Sequence, residues 1–169
     1  QSISVGFTPT GVNNDYDFYA WDELNYTWLN QKVGVNNINT FGIGLGYIVA
    51  YQQAGTKIFA GNLNSADINV TLNFANTTSS KKGWNLLGNP YPCALDWSNA
   101  AWSKSKIDGD AKIWNSTSKN WLDLSLATTA NIIPANQGFI VKANAGGSFT
   151  IPAAARVHNA QGFYKSTSD

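Results

Sequence analysis

The chain has 169 residues, of which 43% are hydrophobic and 12% charged, and its net charge at pH 7 is +1. That supports one domain with a real core, or two small ones packed closely, and argues against general disorder. No basic cluster exceeds the pair Lys81-Lys82, so electrostatic capture of nucleic acid or anionic lipid is not expected.

Taken in chain order, the strand signal (apolar and polar residues alternating, rich in Val, Ile, Phe, Tyr, Trp and Thr) recurs throughout and helical periodicity is almost absent. It predicts strands over 4–7, 17–22, 27–31, 46–52, 57–60, 68–74 and 83–87. A rigid turn follows, where Gly88, Asn89, Pro90 and Pro92 fall within a few residues and end the ladder. A short helix is predicted over 96–106, with Asp96 or Ser98 as its cap and Trp97 and Trp102 on its inner face. Further strands are predicted over 112–115, 121–124, 137–143 and 148–151. The fold expected is all-β: an antiparallel sandwich-like body with one short helix. Trp84 and Leu86 are expected to point inward, and the Pro90 or Pro92 bond is a candidate for the cis form.

Two stretches of the chain echo one another. Trp21 and Trp28 bracket the polar turn "DELNYT", and Trp114 and Trp121 bracket "NSTSKN" at the same spacing. Each hairpin is followed by a glycine-aromatic step, "GYIVAYQQAGTKIF" from Gly46 and "GFIVKANAGGSFTI" from Gly138. An internal duplication is expected within a single domain, with units over approximately 1–82 and 83–169. Gly46 and Gly138 are expected where a neighbouring ring or backbone comes close.

The segments "GWNLLGNPYPCALDW", "IWNSTSKNWLDL", "IIPANQGFIVKA" and "ARVHNAQGFYK" resemble the repeat-like β domains of large secreted Bacteroidota proteins, of the type found ahead of type IX secretion sorting domains. The resemblance covers 83–165 well and 16–74 more weakly. It implies a secreted or cell-surface location and a place within a larger multidomain protein. It implies no particular activity, since such segments accompany adhesins, polysaccharide-degrading enzymes and proteases. The absence of methionine fits a domain excised from a longer chain.

Catalytic chemistry finds little to work with. One histidine, His158, and one cysteine, Cys93, leave no disulfide and no His/Cys metal cluster. Arg156 and His158 alternate at a strand end and share a face, and the resemblance implies that this Arg-x-His is part of the fold. Glu23 is the only glutamate and lies in a hairpin turn, a poor place for a general acid, so no enzyme is expected. Asp15 with Asp17, and Asp108 with Asp110, each set two carboxylates beside a turn, which suits a structural calcium as well as ordinary turn chemistry. No other cofactor is expected.

Aromatics are the remaining resource, with seven Trp, seven Tyr and about twenty Asn in the chain. An aromatic face stacks on a sugar ring, while amides serve its hydroxyls. Trp21, Trp84 and Trp114 are expected in the core. Tyr16, Tyr26, Trp28, Tyr91, Trp102 and Trp121 are the candidate ligand-binding residues. The function expected is a non-catalytic carbohydrate-binding or adhesion module whose partner is a polysaccharide or glycan. The alternative is a structural spacer or protein-interaction domain. No apolar run approaches the roughly 20 residues of a spanning helix, so membrane insertion is not expected.

Overall fold

The computed structural model describes residues 16–51, 56–125 and 131–162. It is all-β, with twelve strands among those residues. They are β1 (Tyr16–Asp22), β2 (Thr27–Asn30), β3 (Ile48–Tyr51), β4 (Ile68–Leu72), β5 (Trp84–Gly88), β6 (Ala94–Asp96), β7 (Ile107–Asn115), β8 (Asn120–Asp123), β9 (Ile132–Ile133), β10 (Gly138–Ala143), β11 (Gly147–Ile151) and β12 (Arg156–Val157). Every pairing is antiparallel.

A four-stranded sheet, β5-β10-β7-β8, is packed over the ribbon β11-β4 and the small sheet β12-β6-β9. Alternation along each strand sends one side-chain set inward. Leu87, Phe139, Val141 and Ile113 meet Val70, Leu72, Phe149 and Ile151, with Leu95, Ile133, Tyr91 and Trp97 filling the same core. A third sheet, β2-β1-β3, has a smaller core around Phe18 and Ile38. A single bridge, Leu45 with Leu87, connects the two parts, with Gly46 N–H donating to the Leu86 carbonyl. The strand β5 thus lies between the two glycine-aromatic steps, Leu45 facing one of its edges and Phe139 the other.

The two Trp hairpins agree in detail. Trp21 stands opposite Trp28, and Trp114 opposite Trp121. Two residues before the first Trp of each pair, Tyr19 pairs with Ile48 and Lys112 with Ile140. "Gly-Tyr-Ile" and "Gly-Phe-Ile" therefore enter at one register relative to their hairpins. The turns match as well. Asp22 Oδ1 accepts from the Leu24 and Asn25 N–H groups, as Asn115 Oδ1 accepts from those of Thr117 and Ser118. Tyr26 and Lys119, equivalent in the turns, are both left-handed, with φ of 54° and 53°.

Several expectations are corrected. The helix over 96–106 reduces to three i→i+3 turns, closed by the N–H groups of Asn99, Trp102 and Ile107. Asp96 ends β6, and its carboxylate binds Ser98 instead of capping a longer helix. Trp97 and Trp102 still face inward. Residues 57–60 form no strand, and the expected strand over 4–7 lies outside the described residues. In β5 the inward residues are Asn85 and Leu87, so Trp84 and Leu86 take the other face. The buried Asn85 amide is satisfied by the Asn73 N–H and by the carbonyls of Asn73 and Gly83, which makes its inward position tolerable. No cis peptide occurs among the described residues, Pro90 and Pro92 included. Gly46 is closely approached, since a Cβ there would overlap the Leu87 carbonyl; Gly138 has ordinary clearance, 3.7 Å to that oxygen.

Candidate functional site

Cross-strand partners share a face, so each hairpin carries its Trp pair on the face opposite its buried residues. On β1 the buried residue is Phe18, and the opposite face carries Asp17, Tyr19 and Trp21, continued by Trp28 and Asn30 on β2 and Ile48 on β3. On β7 Ile107, Ala111 and Ile113 are buried, and the face opposite Ala111 and Ile113 carries Lys112 and Trp114, continued by Trp121 and Asp123 on β8. Trp28 is 45% exposed and Trp114 and Trp121 are each 43% exposed. Trp21 is half-buried, its Nε1–H donating to the Trp84 carbonyl at 2.6 Å. The paired rings tilt against each other, with centroids 4.9 Å apart in the first hairpin and 5.4 Å in the second.

Each pair has polar groups beside it. In the first hairpin Asn30 Nδ2 donates to the Tyr19 hydroxyl at 3.3 Å, and that hydroxyl donates to Asp17 Oδ1 at 3.4 Å. Lys32 pairs with the same carboxylate at 3.6 Å. At the equivalent place in the second, Lys112 is paired with Asp123. A ring edge, an amide, a hydroxyl and a carboxylate can serve a neutral sugar, and each site holds one ion pair, Lys32 with Asp17 and Lys112 with Asp123.

Of the six aromatics expected to bind a ligand, Trp28 and Trp121 lie on these faces. Tyr26 is half-buried in the first turn, and its hydroxyl has no partner among the described residues. Tyr91 and Trp102 are corrected: both are buried. The Tyr91 ring fills the core under the Pro90–Pro92 turn, its hydroxyl 2.9 Å from the carbonyls of Ala66 and Ile151. Trp102 stacks on Phe149 and donates its Nε1–H to the Asp96 carbonyl. For Tyr16 only the backbone, in β1, is described. Trp114 and Trp84 are corrected the other way, away from the core. The spacing of seven signalled the hairpins, but hydrophobicity alone could not assign their faces.

The acidic pairs do not converge. Asp108-Gly109-Asp110 lies within β7, at a register shift against β10, and not in a turn. Gly109 has a φ of 69°, and the bulge separates its neighbours. Asp108 accepts from Asn144, and Asp110 from the Trp97 indole. Asp15 lies outside the described residues. Among the described residues, no three His, Cys, Asp or Glu side chains gather as for a metal.

Glu23 is the residue that sequence reasoning missed. It is buried within the first turn, where its carboxylate accepts from the Ala75 N–H at 3.0 Å and the Gly83 N–H at 2.7 Å. With the Trp21 indole it fastens the first hairpin onto the segment leading into β5. Being the chain's lone glutamate was the one signal available.

A concavity of roughly 510 Å³ lies between Phe18, Tyr47, Phe59 and the Pro90–Pro92 turn and is mainly apolar. Burial raises the pKa of the Tyr47 phenol there, partly offset by the hydrogen bond from Gly42. No described helix is long and apolar enough to cross a membrane.

The chain matches, over residues 6–169, the family model described as a domain of unknown function, DUF8693, and it belongs to that family. No curated protein and no solved structure matches it.

Proposed function

We propose that this family member is a non-catalytic glycan-binding module of a secreted or cell-surface protein, with its two Trp pairs as the binding surfaces. The observation that carries this reading is the repetition of a cross-strand Trp pair on the outer face at one register in both hairpins, with Trp28, Trp114 and Trp121 exposed. Burying such rings would contribute roughly 1.5–3 kcal/mol apiece or more, and leaving them in water forgoes part of it. Cross-strand pairing alone returns only about 0.2–1 kcal/mol. Stacking on a sugar ring accounts for the remaining exposure, and Asn30, Tyr19 and Asp17 lie beside the first pair to serve hydroxyls.

The matching registers and turn geometry support an internal duplication. The boundary belongs ahead of Ile68, because β4 is paired along its whole length with β11 and its Val70 and Leu72 lie in the second core. The two units are then residues 16–60 and 67–157, with any earlier part of the first outside the described residues.

Affinity electrophoresis through gels containing neutral β-glucan, mannan or xylan tests the binding reading. At least one neutral polysaccharide should retard the protein. Trp28→Ala and Trp121→Ala should each weaken retardation, and the double variant should abolish it. By analogy with base stacking, each loss is worth about 1–3 kcal/mol, roughly 5- to 150-fold in affinity. A protein that none of the gels retards would favour the spacer reading.

A further inference from the structure

A second concavity, at the Lys142–Ala143 end of β10, has a wall rich in hydrogen-bond donors. It is an open depression of roughly 330 Å³ between the 77–82 segment, the end of β10 at Lys142 and Ala143, and Asn144. Lys82 and Lys142 line it, their ammonium groups 3.9 Å from the Phe74 ring centre and 5.9 Å from that of Trp84. Neither lysine is ion-paired among the described residues. Thr77 and Ser79 line it too, and each hydroxyl oxygen already accepts a backbone N–H, from Ser79 and Lys81 respectively. Their O–H hydrogens are left to donate. The one carboxylate in the wall, Asp108, accepts the Asn144 amide. The loop is held in this shape from behind by Glu23, through the N–H groups of Ala75 and Gly83 at its two ends. A donor-lined, preshaped pocket with two ammonium groups suits an anionic acceptor with several oxygens.

From this geometry we infer that the pocket binds the carboxylate or sulfate group of an acidic polysaccharide. The inference rests on the glycan reading and names its substrate class. Lys142 pairs with Asp108, six residues from Trp114 on β7. At the strand rise that is at most ~20 Å, the reach of a short oligosaccharide. One chain can therefore stack on the Trp pair while its acidic group enters the pocket.

The test uses the whole chain in affinity electrophoresis and calorimetry with four probes: polygalacturonate, its methyl-esterified form, dextran sulfate and plain dextran. At least one acidic polymer should bind about tenfold tighter than its uncharged counterpart, and the better of the two assigns carboxylate or sulfate. Lys82→Gln and Lys142→Gln should each remove most of that preference, leaving retardation by a neutral polysaccharide and the circular dichroism spectrum unchanged. Trp121→Ala should weaken both classes. Neutral binding with no acidic preference, or a preference that survives both lysine changes, would overturn the pocket and leave the Trp surfaces standing. Equal retention of a duplex oligonucleotide would also overturn it, by reducing the effect to charge alone. Loss of all polysaccharide binding in the unmodified protein would instead remove the glycan reading itself.

Discussion

At the residue scale the molecule relies on a few buried polar side chains that each close several backbone groups. Glu23 accepts from two N–H groups, Asn85 engages three backbone positions, and Asn89 donates to the carbonyls of Cys93 and Pro134 while accepting the Tyr91 N–H. Such groups cost more to remove than to keep. Glu23→Ala should lower the unfolding free energy by about 2–4 kcal/mol, because the Ala75 and Gly83 N–H groups lose a charged acceptor in a buried place. Urea denaturation measures this, and a loss under 1 kcal/mol would deny the anchoring role. Tyr91 provides a pH dependence. Burial, then the nearby Asp67 charge, raises its phenol pKa above the usual 10.0, with Arg156 working the other way. A folded-state pKa above the unfolded one means that the stabilisation is complete below about pH 10 and is lost as pH rises through the folded value. Tyr91→Phe should flatten that alkaline decline while lowering stability at pH 7 by about 1 kcal/mol. The polar anchors were hard to see in the sequence because Asn and Glu in loops ordinarily face water.

At the element scale the hairpins were the most legible feature. Alternation and the Trp spacing placed β1, β2 and β8 within a residue but only the 112–115 end of β7, and the pairing of Trp with Trp followed from the turn length. What the pattern could not decide was which alternate set faced the core. In β5, Trp84 and Leu86 are the more hydrophobic set, yet Asn85 and Leu87 are buried, because the cross-strand neighbours Val141 and Phe139 fix the face. Short strands such as β6, β9 and β12 exist only through one another and leave almost no local signal. The helix over 96–106 failed for a related reason: Asp96, Ser98 and Asn99 bind nearby backbone and one another, competing with helical bonds. The turn geometry carries its own prediction. Lys119, left-handed at a φ of 53°, should accept glycine with a gain of up to about 1 kcal/mol, whereas Lys119→Val should destabilise by a similar amount or more. Thermal melts of the two variants should move in opposite directions.

At the scale of the whole molecule, two sheets each carry a hairpin with its Trp pair on the outer face, and the isolated Leu45–Leu87 bridge joins the segment ahead of β3 to β5. The all-β class was readable from strand spacing, and the "G[YF]IV" step marked the two strands that enter at one register relative to their hairpins. The β4–β11 pairing was not readable, since it links positions some eighty residues apart and has no local signature. The exposed aromatics were half readable: Trp28 and Trp121 came from their places after polar turns, whereas Tyr91 and Trp102 look exposed only if the central turn and the 96–106 segment are taken for surface loops. The most direct test is a ¹H–¹⁵N spectrum of the seven Trp indole groups, titrated with whichever polysaccharide fragment retards the protein. Binding to the Trp pairs predicts progressive shifts for Trp28, Trp114 and Trp121, with the buried Trp97 and Trp102 indoles unmoved. Unchanged signals from all three exposed indoles, while a saturating ligand is bound, would contradict the account.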